Sequence, residues 1–233
     1  MVVKVMTYGG FVQEILVPDQ DGELVDVVLG FPRASDYEGD HPYFGAMVGR
    51  IAGRVSNAEL NIDGKRFPLL ANDPPSHLHG GKESIDRRVW QAEVIPKLDG
   101  APSLRLSTIS ANGDNGYPGR VELGVTYTVT SDNRLVCETE ARSDCRTPVS
   151  LTHHSYFNLA GEASGTTDDH EVVILSEEAF CADEKMGLTG ECRSVEGQAN
   201  DARAARRMVD FVAGLGRSTE TFIGWVKVIP SDL

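Results

Sequence analysis

The sequence predicts an all-β, antiparallel fold, and three observations predict it. Apolar residues recur with period two at Val121, Leu123, Val125, Tyr127 and Val129, with Glu122, Gly124, Thr126 and Thr128 on the other face. That pattern marks a half-buried strand. Turn signals, among them Asp63-Gly64 and Ser131-Asp132-Asn133, separate the alternating runs. Helical spacing is confined to one short stretch, residues 201–215.

The elements follow in chain order. Asp63-Gly64 predicts a tight hairpin. Leu104 and Leu106 predict a strand ahead of the loop Asn112-Gly113-Asp114-Asn115-Gly116, which leads into Tyr117-Pro118-Gly119. After the turn at 131–133, Leu135, Cys137, Thr139 and Ala141 resume the alternation, so this run pairs with 121–129 as an antiparallel hairpin. A further strand is expected over Glu171 to Ser176. From Asp201 to Leu215, apolar residues at Ala202, Ala205, Val209 and Val212 have helical spacing. Asp201 is the candidate N-cap, and Gly214 or Gly216 the stop. No repeat, low-complexity tract or linker is visible, and residues 1–233 are expected to form a single domain.

Composition narrows the function. With 22 Lys plus Arg against 35 Asp plus Glu, the net charge is −13. A nucleic-acid partner needs a basic footprint, and an anionic membrane surface attracts basic segments, so both are disfavoured. A neutral small molecule fits. No run approaches the roughly 20 apolar residues of a membrane span, and the amino terminus has no signal-peptide pattern. Cys137, Cys145, Cys181 and Cys192 include no C-x-x-C pair. A cytoplasmic location with reduced thiols is the expectation.

Four of the six histidines fall in two places, His77-Leu78-His79-Gly80-Gly81 and Leu151-Thr152-His153-His154-Ser155-Tyr156-Phe157-Asn158. Histidine exchanges protons near neutral pH, so two such groups that meet on a sheet scaffold point to proton transfer. In an extended segment His77 and His79 share a face. They can equally be loop histidines making ordinary hydrogen bonds. His77, His79 and Glu83 also have the H-x-H-x-x-x-E spacing of metal-binding cupin barrels, though the framing glycines and proline are out of register. His153 and His154 are adjacent, so in a strand only one enters a given pocket. Tyr156 and Phe157 are expected in core packing, with a sugar-stacking platform as the alternative. Arg50 and Arg54 offer fixed donors to hydroxyls or carboxylates, or form surface ion pairs. Gly80-Gly81 allows unusual backbone angles or close approach of a ligand. There is no P-loop, Rossmann glycine fingerprint or G-x-S-x-G elbow.

At these residues the chain closely resembles the aldose 1-epimerase, or galactose mutarotase, family. The resemblance includes Asp26-Val27-Val28-Leu29-Gly30-Phe31, Tyr43-Phe44-Gly45-Ala46-Met47-Val48-Gly49-Arg50, Asp63-Gly64-Lys65 and Leu78-His79-Gly80-Gly81. It continues through Arg88-Val89-Trp90, Gly116-Tyr117-Pro118-Gly119 and, most strongly, Leu151 to Gly161, and runs from near residue 8 to about residue 197. It implies a large antiparallel β-sandwich of the galactose mutarotase type. It also implies interconversion of the α and β anomers of a free aldose, with no metal and no organic cofactor. By motif, His154 resembles the general acid that protonates the ring oxygen. His79 resembles a second pocket histidine, and Arg54 a sugar-hydroxyl contact.

The sequence departs from the family at three places. Gly53 replaces the asparagine usual before the pocket arginine, which implies weaker sugar binding. His153 replaces the asparagine usual before the catalytic histidine. The family's carboxylate base lies in a longer C-terminal stretch. Phe222-Ile223-Gly224-Trp225 resembles the start of its Gly-aromatic-Asp-His element, but Val226-Lys227 follows. Glu220 is the nearest carboxylate, without motif support. The resemblance therefore implies a C-terminal region incomplete relative to the family, as in a truncated or frame-shifted product, with an oligomer or partner chain covering the exposed sheet edge, a rearranged sheet or instability as the open consequences. It also leaves a catalytically silent sugar-binding or regulatory module as the alternative to an enzyme.

Overall fold

The computed structural model describes residues 1–96 and 100–215, together with the backbone of residues 220–222 and 225–229. The chain divides into two compact units, Met1–Phe157 and Asn158–Leu233, within the span read above as one domain. No helix among the described residues is long and apolar enough to cross a membrane. All four cysteines are free.

In the first unit, β1 (Val2–Val5), β2 (Val12–Pro18) and β3 (Leu24–Asp26) form an antiparallel sheet in that order. Five short strands follow: β4 (Met47–Val48), β5 (Arg54–Val55), β6 (Glu59–Ile62), β7 (Lys65–Pro68) and β8 (His77–Leu78). Next come β9 (Gln91–Ile95), β10 (Ser103–Ser110), β11 (Val121–Val129) and β12 (Leu135–Ser143), a four-stranded antiparallel meander. Finally β13 (Thr152–His153) pairs with β4. The hairpin predicted at Asp63-Gly64 joins β6 to β7, and both residues take positive φ, 52° and 78°. That is the geometry of a tight turn matched to strand twist.

The two larger sheets pack face to face. Val12, Ile15, Val27 and Val28 from the β2–β3 region meet Leu106, Val121, Leu123, Val125 and Tyr127 from the meander, all nearly inaccessible to water. Trp90 completes this core and donates its indole N–H to the Ile85 carbonyl at 2.9 Å. The Tyr127 hydroxyl donates to the Gly10 carbonyl at 3.0 Å, which satisfies the one polar atom this strand carries inward. Alternation along β11 is as the sequence predicts, with two refinements. Gly124 lies beneath the Glu140 side chain, and Thr128 shares a hydroxyl hydrogen bond of 2.9 Å with Ser103, so both are buried on the outer face. In β12 only Leu135 and Cys137 pack on the core, and the charged remainder forms a sheet edge that resists pairing with other chains.

In the second unit, β14 (Glu171–Leu175) lies in the strand expected at 171–176. β15 (Glu178–Ala182) and β16 (Leu188–Ser194) follow, then β17 (Arg206–Arg207) and α1 (Met208–Leu215). The backbones of β18 (Glu220–Phe222) and β19 (Trp225–Ile229) pair with β15 and β14 respectively. The helix starts at Met208, seven residues later than its predicted cap. Asp201 does not cap it. The Asp201 carboxylate instead binds the Arg203 guanidinium and the Gly197 amide, a local turn that competes with helix. The buried face is Met208, Phe211 and Leu215 against Val172, Ile174 and Ala202, whereas Ala205 and Val212 are exposed. Gly214 lies inside the last turn, and Gly216 and Ile223-Gly224 lie outside the described residues.

Leu106 is fully buried between the two sheets. Leu106→Ala should lower the unfolding free energy by about 2–5 kcal/mol, the range for a core leucine whose cavity cannot collapse. Urea unfolding checks this.

Candidate active site

Two strand pairings assemble the site. In the β5–β8 pair, Arg54 lies opposite Leu78 and Val55 opposite His77. Asn72 holds β8 from its other side: its amide donates to the Leu78 carbonyl at 2.9 Å and its oxygen accepts from the Leu78 amide at 2.8 Å. In the β4–β13 pair, His153 lies opposite Met47. The Ala46 carbonyl then accepts from the His154 amide at 2.8 Å, and the Gly45 amide donates to the His154 carbonyl at 3.1 Å. These bonds carry the 43–46 turn alongside His154.

His79 does not continue the strand. Its φ is +51°, so the alternation that would align it with His77 ends at Leu78. The next residue explains the turn: at Gly80, φ is +89° and an added Cβ would sit 1.7 Å from the Gly49 carbonyl oxygen, so only glycine fits. Gly80 thus admits a neighbouring backbone rather than a ligand. Gly53 grips His79 twice. Its carbonyl accepts from the His79 amide and its amide donates to His79 Nδ1, both at 3.0 Å.

The two motif histidines meet. The His79 and His154 ring centroids are 5.2 Å apart and nearly perpendicular, at 86°. Tyr43 touches both, at 4.7 Å from His79 and 5.7 Å from His154. Tyr156 stands 5.2 Å from His154 on another side. Burial, then the neighbouring His154 and Arg54, lower the His79 pKa to about 4. His79 is therefore neutral at pH 7. Because Nδ1 accepts from Gly53, the single ring proton is on Nε2, which can donate. Neither ring nitrogen of His154 has a hydrogen-bond partner among the described residues. Arg54 gives its Nε–H to Asp73 Oδ2 at 2.7 Å.

The other histidine and arginine candidates serve the scaffold. His77 is fully buried, its Nδ1 against the Leu70 carbonyl and its Nε2 against the Tyr117 hydroxyl, each at 2.7 Å. With both nitrogens engaged, His77 cannot join His79 and Glu83 in the cupin-type set. Among the described residues no group of three or more His, Cys, Asp or Glu side chains is arranged for a metal. The His153 ring lies 5.8 Å from the Tyr127 ring and its Nε2 is 3.1 Å from Ser155 Oγ; burial followed by the nearby His154 lowers its pKa to about 4. Arg50 is no surface ion pair. It is 2% exposed and donates to Ser110 Oγ, Thr147 Oγ1 and the carbonyls of Ser110, Ala111, Pro118 and Gly119. Tyr156 and Phe157 are also not core: 37% and 49% of their surface is exposed.

Sequence motifs nominated His79, His154 and Arg54, and gave no signal for Tyr43, Asn72 and Asp73, which the structure places beside them. Tyr43 sat inside a recognised motif but carried no signal of its own. Asn72 and Asp73 precede Pro74-Pro75 and read as an ordinary turn.

The sequence signature of the family described as Aldose 1-epimerase matches residues 1–215. The chain belongs to the aldose 1-epimerase family. Galactose mutarotases of Sus scrofa and Homo sapiens are each 39% identical to it over 201 residues, 86% of this chain and 57% of theirs. The aldose 1-epimerase of Escherichia coli K12 is 34% identical over 206 residues, 88% of this chain and 58% of that one. The chain thus spans less than three-fifths of the length of these curated relatives. A GalM/aldose epimerase homologue from C. elegans superposes with a TM-score of 0.82 at 32% identity, over 90% of this chain and 62% of that one. A galactose 1-epimerase from Lactobacillus acidophilus NCFM gives 0.80 at 28% identity, over 90% and 60%. These likenesses agree with the epimerase-type β-sandwich that the sequence predicts.

Two measurements check the site electrostatics. His79 and His153 are held below the ordinary 6.5, at about 4. Between those values the unfolded chain binds more protons than the folded one. Stability should therefore be full above pH 6.5 and fall as pH drops toward 4. Thermal melts across that window, with the His79 ring titration followed by NMR, check the sign and the midpoint. Tyr117→Phe leaves His77 Nε2 buried without its partner and should cost about 1–3 kcal/mol in urea unfolding.

Proposed function

We propose that this chain binds a free aldose, glucose or galactose, and interconverts its α and β anomers by acid–base ring opening. The observation that carries the reading is the His79–His154 pair: one imidazole neutral and fixed, the other with unpartnered nitrogens, 5.2 Å away. In this reading His154 protonates the ring oxygen as the C1–O5 bond breaks. The Nε2–H of His79 donates to a neighbouring sugar oxygen and holds the ring. Arg54, with Nε committed to Asp73, presents its remaining N–H groups to sugar hydroxyls.

The open aldehyde rotates about C1–C2 and closes on its other face, while His154 takes back its proton. The C1 hydroxyl proton goes to a base as the ring opens and returns to the C1 oxygen as it closes. No carboxylate among the described residues hydrogen-bonds either imidazole, and in this reading His154 alone supplies the acid. The side chain of Glu220 lies outside the described residues. Exposed Tyr156 is suited to stack on the apolar face of the sugar. No step calls for a metal or organic cofactor, and four free cysteines suit a cytoplasmic setting. The enzyme names of the relatives favour turnover over silent binding.

Polarimetry on freshly dissolved α-galactose tests the reading. The protein should accelerate mutarotation over buffer, and His154→Gln should lose about 10²–10⁴-fold, the worth of one positioned acid. Folded protein that binds galactose without accelerating its mutarotation would select the silent-binding alternative instead.

A further inference from the structure

We propose that the Tyr43 hydroxyl is a further sugar contact, on a ring that packs against both histidines of the pair. The inference rests on the sugar-binding reading of the same site and adds a residue to it. Three observations carry it.

First, Tyr43 is the ring that touches both motif histidines. Second, it is held in an unfavourable backbone conformation, φ +63°, which is uncommon for a bulky residue. The surrounding bonds hold it there: its amide donates to His41 Nδ1 at 3.0 Å, and its carbonyl accepts from the Ala46 amide at 3.0 Å. Strain of this kind persists where the neighbours over-determine it, and it concentrates at ligand sites. Third, the ring is half-buried, yet its hydroxyl has no hydrogen-bond partner among the described residues. A Tyr hydroxyl in such a place ordinarily finds one.

The surroundings identify the class of partner. Tyr43 also lines an open pocket of about 750 Å³ with Glu38, Asp40, Asn72, Glu83, Asp86 and Arg87, whose lining does not include His79, His154 or Arg54. Its hydroxyl lies within electrostatic reach of two ion pairs, Asp86 with Arg87 and Arg54 with Asp73. Burial, then the Asp86 carboxylate, push its pKa up, so the phenol is neutral and both donates and accepts. A sugar hydroxyl matches those needs.

The test is galactose binding, followed by NMR through the ring protons of His79 and His154. Tyr43→Phe keeps the ring and removes only an unpartnered oxygen, so the fold and the His79 midpoint at about 4 should be retained. Galactose should then bind roughly tenfold more weakly, the equivalent of one hydrogen bond of about 1.4 kcal/mol. A set of mono-deoxygalactoses adds a second measurement. One of them should bind the wild-type and Tyr43→Phe proteins equally, because it lacks the hydroxyl that Tyr43 contacts. Equal galactose affinity in the two proteins overturns the Tyr43 contact and leaves the site reading standing. Equal weakening of every deoxy sugar by Tyr43→Phe also overturns it. If the wild-type protein itself binds no galactose, the proposed function falls and this contact with it.

Discussion

The Arg50 guanidinium is buried, and no carboxylate among the described residues is hydrogen-bonded to it. A lone charge in that position is severely destabilising unless its donors are satisfied. Here backbone carbonyls satisfy them, from Ser110, Ala111, Pro118 and Gly119, with Ser110 and Thr147 hydroxyls completing the set. The guanidinium also lies 5.2 Å over the Tyr117 ring. These carbonyls are distant in sequence and converge only when the loop after β10, the entry to β11 and the chain near residue 147 are all in place. Arg50 therefore ties the formation of the meander to the placement of the segment that carries Gly53 and Arg54. Tyr117 passes the same order onward, through its hydroxyl to His77 at the start of β8.

What reaches the site is a pair of imidazoles in unequal surroundings. His79 is desolvated, gripped at Nδ1 by the Gly53 amide, and close to another histidine and an arginine. Each of these disfavours its charged form. His154 hangs from two backbone bonds to the 45–46 turn and leaves both ring nitrogens open. Pushing two like groups into different environments is a general way to divide proton-transfer roles. The glycine at position 53 does its work through its backbone. Both its amide and its carbonyl hold His79.

Much of the fold was legible in the chain. The alternation at 121–129 and 135–141 marked β11 and β12, and Asp63-Gly64 marked the β6–β7 turn, because these signals are local. The helix was legible in kind but not in place. Asp201 has the chemistry of a cap, yet Arg203 two residues on offers its carboxylate a bidentate partner, and the local turn prevails. Tyr156 and Phe157 looked like core residues because apolar area is normally buried, but a large side chain near a site is free to face outward.

The sequence by itself determined the strand-rich class and the family, and its motifs nominated His79, His154 and Arg54, because period-two patterning and short motifs are written in consecutive positions. Only the tertiary structure decided that His77 and Arg50 are scaffold and that His79 leaves its strand. Only it decided that Tyr43, Asn72 and Asp73 belong beside the histidines. Those outcomes depend on which distant carbonyls, hydroxyls and rings converge on a side chain. Convergence across 36 residues from Tyr43 to His79, or 111 from Tyr43 to His154, leaves no trace in local pattern.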